Sequence, residues 1–217
     1  MGPEATILLQ RKLMEAVPAQ DDSDHIPLLI DMNPQVPSRI AHLIEVTGDD
    51  PSPVLSAMAS RLQDAGASAL AMPCNTAHHY AKVITDTVSI PLLNMVELAA
   101  TYAAHVAGKG GSVGILGSPA VQKTKLFEKA MSAHNISVIW PKQNDRMLDA
   151  IRMIKSDGPC SSACEILLAA SVELVAAGAD LQFIACSEFS LIANSVAQNA
   201  KAVDTLDLLV EAIVEFS

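Results

Sequence analysis

Two segments of this chain repeat one pattern, in which a short apolar run leads into a cysteine and a polar pair. The first segment is AGASALAMPCNTAHHY, residues 65–80, and the second is AGADLQFIACSEFSLI, residues 177–192. In both segments the cysteine lies nine positions after the first alanine, at Cys74 and at Cys186. A glycine turn, an apolar run and a polar helix start are typical of an α/β unit. The repeat therefore predicts two related halves, each supplying one thiol to a site between them.

Strand-length apolar runs alternate with helical segments along the rest of the chain, which predicts parallel sheets with helices on both faces. We expect an α/β fold of two pseudo-symmetric, doubly wound domains with the active site between them. The first domain would comprise residues 1–95 plus 205–217, and the second residues 96–204. Ligands of such sheets bind at the carboxyl ends of the strands, where both cysteines are expected.

Several elements near the cysteines can be predicted individually. Residues His25–Asp31 predict a buried strand that leads into a proline-rich loop holding Asn33 and Arg39. A helix is expected from Cys74 to about Val88. In the second half, strands are expected over residues 112–117 and 181–185, and one continuous helix over residues 121–134.

Composition excludes several classes of partner. The formal net charge is −10, from 24 acidic against 14 basic residues, and the charges are scattered without runs. This balance argues against nucleic acid and against anionic membrane surfaces. No stretch approaches the roughly 18 apolar residues of a membrane span. Four cysteines are too few for a disulfide scaffold, and no export signal is visible, so we expect a cytoplasmic protein with free thiols.

A cysteine that begins a helix has a specific chemical environment. Unpaired backbone N–H groups and the positive end of the helix dipole favour the thiolate, and they also attract a carboxylate. The polar residues that follow are Asn75 and Thr76 in the first segment, and Ser187 and Glu188 in the second. Two such helix starts, one on either side of a small carboxylate, suit a reaction that removes a proton from one face of a carbon and returns a proton to the other face.

The chain also resembles a known family along nearly its whole length. The motifs that carry the resemblance are MGPEAT, IDMNPQVPSR, PCNTAHHY, IPLLNMVE and ACSEFSLI. They resemble, in the same order, the motifs of the aspartate/glutamate racemase family, and most of all its aspartate racemase branch. The resemblance implies racemisation of a small amino acid, most of all aspartate, without cofactor or metal.

Residue roles follow from the matching positions. The resemblance implies that Cys74 and Cys186 alternate as base and acid. It assigns Arg39 and Lys155 to the substrate carboxylates. The positions that match its hydrogen bonders around the α-carboxylate are Asn75, Thr76 and Ser187, and supporting positions behind the site are Asn33, Ser118 and Glu188. The family also allows a homodimer.

The chain departs from the family pattern in two places. The usual second motif is GCTE, whereas this chain has Ala185-Cys186-Ser187-Glu188, in which serine keeps the hydroxyl. The family also places a strand and a glycine pair before MGPEAT, whereas this chain starts at the methionine. We therefore expect the first domain to lack its first strand here, and a longer natural product to contain it.

Other interpretations stay open at this stage. The same two-cysteine scaffold could isomerise or decarboxylate a related dicarboxylate, or bind a small acid without catalysis. His78 and His79 follow Cys74 and admit a Cys–His hydrolase, although a solvated or supporting role is favoured. Cys160 and Cys164 have a spacing seen in metal sites, but no second cluster accompanies them, so we interpret them as packing residues.

Overall fold

The computed structural model describes residues 2–217 and has a mixed α/β architecture with parallel sheets. The described chain falls into two compact units. One comprises the residues up to Met95 together with Leu206–Ser217, and the other comprises Val96–Thr205. The strand expected upstream of Met1 lies outside the described residues.

The first unit contains a small parallel sheet and the helices around it. In chain order its helices and strands are α1 (Pro3–Ala16), α2 (Ser52–Asp64), β1 (Leu70–Ala71), α3 (Ala81–Thr87), β2 (Leu92–Leu93) and most of α10 (Thr205–Phe216). Strands β1 and β2 pair in parallel, with Leu70 opposite Leu92. Side chains of α2, β1 and α3 form the core beneath this sheet, including Leu55, Met58 and Ile84.

The prediction of a buried strand over His25–Asp31 was wrong. The segment has no regular secondary structure and pairs with no strand in residues 2–217. Leu28, Leu29 and Ile30 are 43% to 51% exposed. The apolar run alone suggested burial, yet a strand needs a neighbour for its backbone N–H and C=O groups. Asp31, at the end of the segment, is held to α2 by an ion pair with Arg61 at 2.6 Å.

The helix predicted to follow Cys74 is divided into two parts. Asn75–Tyr80 is a 3₁₀-helix, and α3 begins only at Ala81. The tighter first part places Asn75, Ala77, His78 and Tyr80 in buried positions. The polar residues after the cysteine are therefore packed inside the unit and not displayed along one exposed helix face.

The second unit contains a larger parallel sheet. Its helices and strands are most of α4 (Met95–Val106), β3 (Ser112–Gly117), α5 (Pro119–Thr124), α6 (Leu126–Ser132), β4 (Ser137–Ile139), α7 (Asn144–Asp157), α8 (Ser161–Ala176), β5 (Leu181–Ala185), α9 (Ser187–Ser190) and β6 (Ala202–Asp204). The strand order in the described sheet is β4-β3-β5-β6, and each neighbouring pair is parallel. All five residues of β5 are buried, as expected for a central strand covered by helices on both faces.

Helices α7 and α8 pack on this sheet and position the residues around Cys186. Their apolar side chains form one cluster with Leu116, Ile184 and Phe189. Helix α8 lies so close to β3 that a Cβ added at Gly114 would be 2.8 Å from Leu174 Cδ1. The packing therefore favours glycine at position 114, because a larger residue would have to displace the side chain of Leu174.

The single helix expected over residues 121–134 is also divided. Lys125 has a φ of 54°, in the left-handed region, and separates α5 from α6. Such a conformation breaks the α-helical hydrogen-bond ladder and is uncommon for residues other than glycine. The apolar pattern continues across the break, which is why the sequence alone does not reveal it.

Candidate active site

Cys74 occupies the turn between β1 and the 3₁₀-helix in the first unit. It is the residue that precedes the helix, with extended backbone angles of φ −156° and ψ 103°. Its N–H donates to the carbonyl of Met72 at 2.7 Å, and its own carbonyl accepts from the N–H of Ala77 at 3.1 Å. The thiol is thus placed at the carboxyl end of a parallel strand, as the repeat predicted.

His78 lies buried behind this turn. Its Nδ1 is 2.9 Å from the carbonyl oxygen of Cys74, and its Nε2 accepts the N–H of Met95 at 3.1 Å. Because Nε2 is an acceptor, the ring proton belongs on Nδ1, which donates to Cys74.

Burial lowers the pKa of His78 from 6.5 to about 4, although the carbonyls of Cys74 and Leu93 partly oppose the shift. The imidazole is therefore neutral at pH 7, and its two nitrogens are engaged by main-chain groups. Of the two roles favoured for His78, solvated or supporting, this arrangement fits the supporting one, because the ring is buried behind the cysteine turn. It also counts against a Cys–His hydrolase, because that mechanism needs a ring nitrogen directed at the thiol.

Cys186 occupies the equivalent turn of the second unit, between β5 and α9. It also precedes its helix, with φ −151° and ψ 127°. Its Sγ donates to Oε2 of Glu188 at 3.0 Å, and the hydroxyl of Ser187 lies 3.4 Å from the same oxygen. Nζ of Lys155, on α7, lies 3.3 Å from the other oxygen of Glu188. The structure thus brings together four of the predicted residues in one cluster.

Glu188 is ionised in this cluster. Burial by itself would raise the pKa of Glu188, but the positive charge of Lys155 and the hydrogen bond from Cys186 outweigh it, so the pKa is below its usual value. The thiol of Cys186 therefore faces an anionic acceptor that is itself neutralised by a cation. The Glu188 carboxylate can therefore accept the proton of the Cys186 thiol, or leave it on the thiol for transfer to a bound molecule.

Arg39 is half-buried in the proline-rich loop of the first unit. Its Nη1 donates to the carbonyl of Pro37 at 2.9 Å and lies 3.4 Å from that of Val36. Its Nε is buried and has no hydrogen-bond partner within residues 2–217. The guanidinium is consequently oriented by its own loop while it retains capacity for an anion.

The remaining predicted residues have local roles in the structure. Asn75 is buried and Thr76 is half-buried, at the start of the 3₁₀-helix. Asn33 accepts the N–H of Gln35 at 2.9 Å within its loop. Ser118 caps α5 by accepting an N–H of that helix at 3.4 Å. These contacts explain why Asn33 and Ser118 occupy their positions by local structure alone, independently of any contact with a substrate.

Sequence reasoning missed Ser190 and Asp204, and it underestimated His78. Ser190 donates from its hydroxyl to Oδ1 of Asp204 at 2.9 Å, and both residues are buried. Ser190 and His78 each lie four positions after a cysteine. A comparison of the two repeats position by position would therefore have pointed to His78 and Ser190, whereas Asp204 lies outside the repeated segments.

Two further properties bear on the class of site. Within residues 2–217, no group of three or more His, Cys, Asp or Glu side chains is arranged to hold a metal ion. Over the same residues, each helix is either too short or too polar to cross a bilayer. All four cysteines carry free thiols.

Comparisons with known proteins connect this geometry to a family. The chain is similar in structure to an aspartate racemase from Picrophilus torridus, with a TM-score of 0.85, 24% identity, and coverage of 99% of this chain and 90% of that one. It is also similar to an aspartate racemase homologue from Pyrococcus horikoshii OT3, with a TM-score of 0.72, 17% identity, and coverage of 99% and 94%. At these identities the structural likeness shows the fold, and it confirms the predicted two-domain α/β class.

Sequence comparison extends the likeness. The broad specificity amino-acid racemase RacX of Bacillus subtilis (strain 168) is 23% identical over 160 residues, which cover 72% of this chain and 67% of that protein. The model of the Asp/Glu/hydantoin racemase family matches residues 1–213, nearly the full length of the chain. With that match, the resemblance of the motifs is confirmed, and the chain belongs to the Asp/Glu/hydantoin racemase family.

Proposed function

We propose that this protein is a cofactor-independent aspartate racemase in which Cys74 and Cys186 are the two bases. The observation that carries the proposal is the cluster of Cys186, Glu188 and Lys155, in which a thiol donates to an ionised carboxylate at 3.0 Å. A thiol held in its protonated form is the acid that a two-base racemase needs on one face of the substrate.

In the proposed reaction, one thiolate removes the α-proton of aspartate and becomes a thiol. The electron pair of the broken C–H bond remains on the α-carbon and is delocalised into the α-carboxylate. The opposite thiol then gives its proton to the other face of that carbon and becomes a thiolate. One turnover therefore inverts the substrate and exchanges the protonation states of Cys74 and Cys186. The reverse reaction uses the same two groups in the opposite order.

Glu188 has a defined task in this scheme. When Cys186 acts as the acid, Glu188 holds the thiol hydrogen-bonded until delivery. When Cys186 acts as the base, its proton must first leave, and the nearest acceptor is the Glu188 carboxylate at 3.0 Å. Lys155, at 3.3 Å from Glu188, neutralises the single negative charge of the pair, which is on the carboxylate before this transfer and on the thiolate after it.

Substrate binding is assigned to residues on each unit. Arg39 would hold a carboxylate, supported by its buried Nε, which has no hydrogen-bond partner within residues 2–217. Lys155 would share its charge between Glu188 and a substrate carboxylate, since its side chain remains about half exposed. Asn75, Thr76 and Ser187 would donate to the α-carboxylate, on which charge increases in the transition state. The choice of aspartate is supported by the aspartate racemase among the structural relatives.

Incubation with a panel of amino acids in heavy water tests the proposal. A racemase of this kind converts either enantiomer of aspartate to a mixture, incorporates deuterium at the α-carbon and consumes no substrate, without added cofactor. An isomerase or decarboxylase would instead produce a new compound. A protein that only binds small acids would neither exchange the α-hydrogen nor produce anything. Either of the last two results would overturn the proposal, and faster turnover of another amino acid would overturn its substrate.

A further inference from the structure

The two cysteine turns share a second feature that lies four residues further along each repeat. His78 follows Cys74 by four positions, and Ser190 follows Cys186 by four. Nδ1 of His78 donates to the carbonyl of Cys74 at 2.9 Å. The hydroxyl of Ser190 lies 3.4 Å from the carbonyl of Cys186. Each turn is therefore contacted from behind by a buried polar side chain of its own unit.

Each of these side chains also reaches the end of the neighbouring strand. Strand β2 is parallel to β1, and Nε2 of His78 accepts from the N–H of Met95, the first residue of α4 after that strand. Strand β6 is parallel to β5, and Ser190 donates to Oδ1 of Asp204, the last residue of that strand. The single hydroxyl proton of Ser190 is directed mainly at the closer Asp204 oxygen, at 2.9 Å.

We propose that His78 and Ser190 are duplicated positioning residues, each of which links one cysteine turn to the junction between the neighbouring strand and the helix that follows it. This assignment rests on the proposed function for the roles of the thiols. It goes beyond that function by assigning each residue to one proton transfer. His78 positions the thiol of Cys74, and Ser190 positions the thiol of Cys186.

The reason for this local effect is the shortness of the helices that follow the cysteines. The 3₁₀-helix Asn75–Tyr80 has six residues and α9 has four, so each contains few hydrogen bonds of its own. Loss of the His78 ring would leave the carbonyl of Cys74 with one partner fewer and the buried N–H of Met95 without its acceptor. A buried polar group without a partner opposes the conformation that buries it. The turn would then open or shift, and the thiol would move with it.

Backbone amide hydrogen exchange tests the link itself, without reference to activity. We expect His78→Leu, which retains an apolar volume but no hydrogen bond, to accelerate exchange in residues 72–80 and at Met95 by at least about tenfold. Exchange in residues 184–191 should stay within about twofold of wild type. Ser190→Ala should show the converse pattern. His79→Leu is the matched control, because His79 is the exposed neighbour of His78, and it should leave both regions unchanged.

The second measurement connects the link to the chemistry. In a Cys186→Ala background, exchange of the substrate α-hydrogen with solvent deuterium depends on Cys74. In a Cys74→Ala background it depends on Cys186. We expect His78→Leu to lower the exchange rate at least about tenfold in the first background and less than about twofold in the second. Ser190→Ala should reverse these effects. His78→Gln, which restores an amide donor and acceptor, should recover part of the loss.

The outcomes separate the proposals from one another. Unchanged amide exchange around Cys74 in both His78→Leu and His78→Gln would overturn the link. A local change in amide exchange with equal loss of α-hydrogen exchange in both backgrounds would show a merely structural role and overturn the positioning assignment. If wild type fails to racemise any amino acid, the proposed function fails, while amide exchange still decides the link. If His78→Leu does not fold, His78→Gln decides both measurements.

Discussion

The buried imidazole of His78 predicts a specific dependence of stability on pH. Burial lowers its pKa from 6.5 to about 4 in the folded protein. In the unfolded chain the ring returns to its ordinary pKa and binds a proton below about pH 6.5. Between these two values the unfolded state therefore holds one proton more than the folded state. The free energy of unfolding must then fall as the pH is lowered from about 6.5 towards 4.

The size of this effect follows from the two pKa values. A shift from 6.5 to about 4 corresponds to about 3 kcal/mol, at about 1.4 kcal/mol for each pH unit. About 2 kcal/mol of this is lost by pH 5, where the unfolded ring is almost fully protonated and the folded ring is still neutral. Since native proteins unfold with only about 5–15 kcal/mol, this one side chain would account for a substantial part of the acid sensitivity.

Urea unfolding of wild type and His78→Gln at pH 7 and pH 5 measures this contribution. Glutamine does not titrate, whereas other groups, including Glu188, titrate in both proteins and cancel in the comparison. The stability advantage of wild type over His78→Gln should shrink by about 2 kcal/mol between the two pH values. His79→Gln, the same substitution at the exposed neighbouring position, is the matched control. A difference between wild type and His78→Gln that does not vary with pH would refute the neutral, buried state of the ring.

Three further predictions follow from the site and the sheet. Glu188→Gln should lower kcat by about tenfold to a hundredfold with little change in KM, because the proton acceptor beside Cys186 becomes a neutral amide. An unchanged kcat in steady-state kinetics would contradict this role of Glu188. Gly114→Ala should lower the free energy of unfolding by about 1–3 kcal/mol in urea titrations, because the new Cβ would meet a side chain of α8 at 2.8 Å. Gly117→Ala is its control, since its closest contacts are at 3.4 Å, and equal losses in both would contradict the account. Arg39→Leu should weaken turnover of aspartate far more than turnover of a neutral amino acid, whereas equal losses for both substrates would indicate a structural role. Lys155→Met should slow both substrates, because Lys155 also neutralises Glu188, with the larger loss for aspartate; unchanged turnover of the neutral substrate would contradict its role beside Glu188.

The positions of the two thiols could be predicted from the sequence because they depend on local order along the chain. An apolar run followed by a cysteine and polar residues can be recognised without knowledge of any long-range contact. Strand bounds were accurate where the strand is central and buried on both faces, as for residues 112–117 and 181–185.

Features that depend on distant partners could not be predicted in the same way. His25–Asp31 has the composition of a strand, yet whether it forms one depends on a neighbour that the described chain does not supply. Lys155 was assigned to a substrate carboxylate, and its ion pair with Glu188 depends on how α7 packs beside α9. The buried role of His78 depends on Met95, seventeen residues further along. Each of these outcomes is decided by tertiary packing, which overrides local composition.

The central claim is that the two thiols act on opposite faces of one α-carbon, and single-cysteine variants test it most directly. Cys74→Ala and Cys186→Ala would each be incubated in heavy water with L-aspartate and, separately, with D-aspartate. Racemisation is followed by chiral chromatography and α-hydrogen exchange by mass spectrometry. We predict that neither variant racemises, that each exchanges the α-hydrogen of one enantiomer, and that the two variants select opposite enantiomers. Full racemisation by either variant would contradict the two-base mechanism.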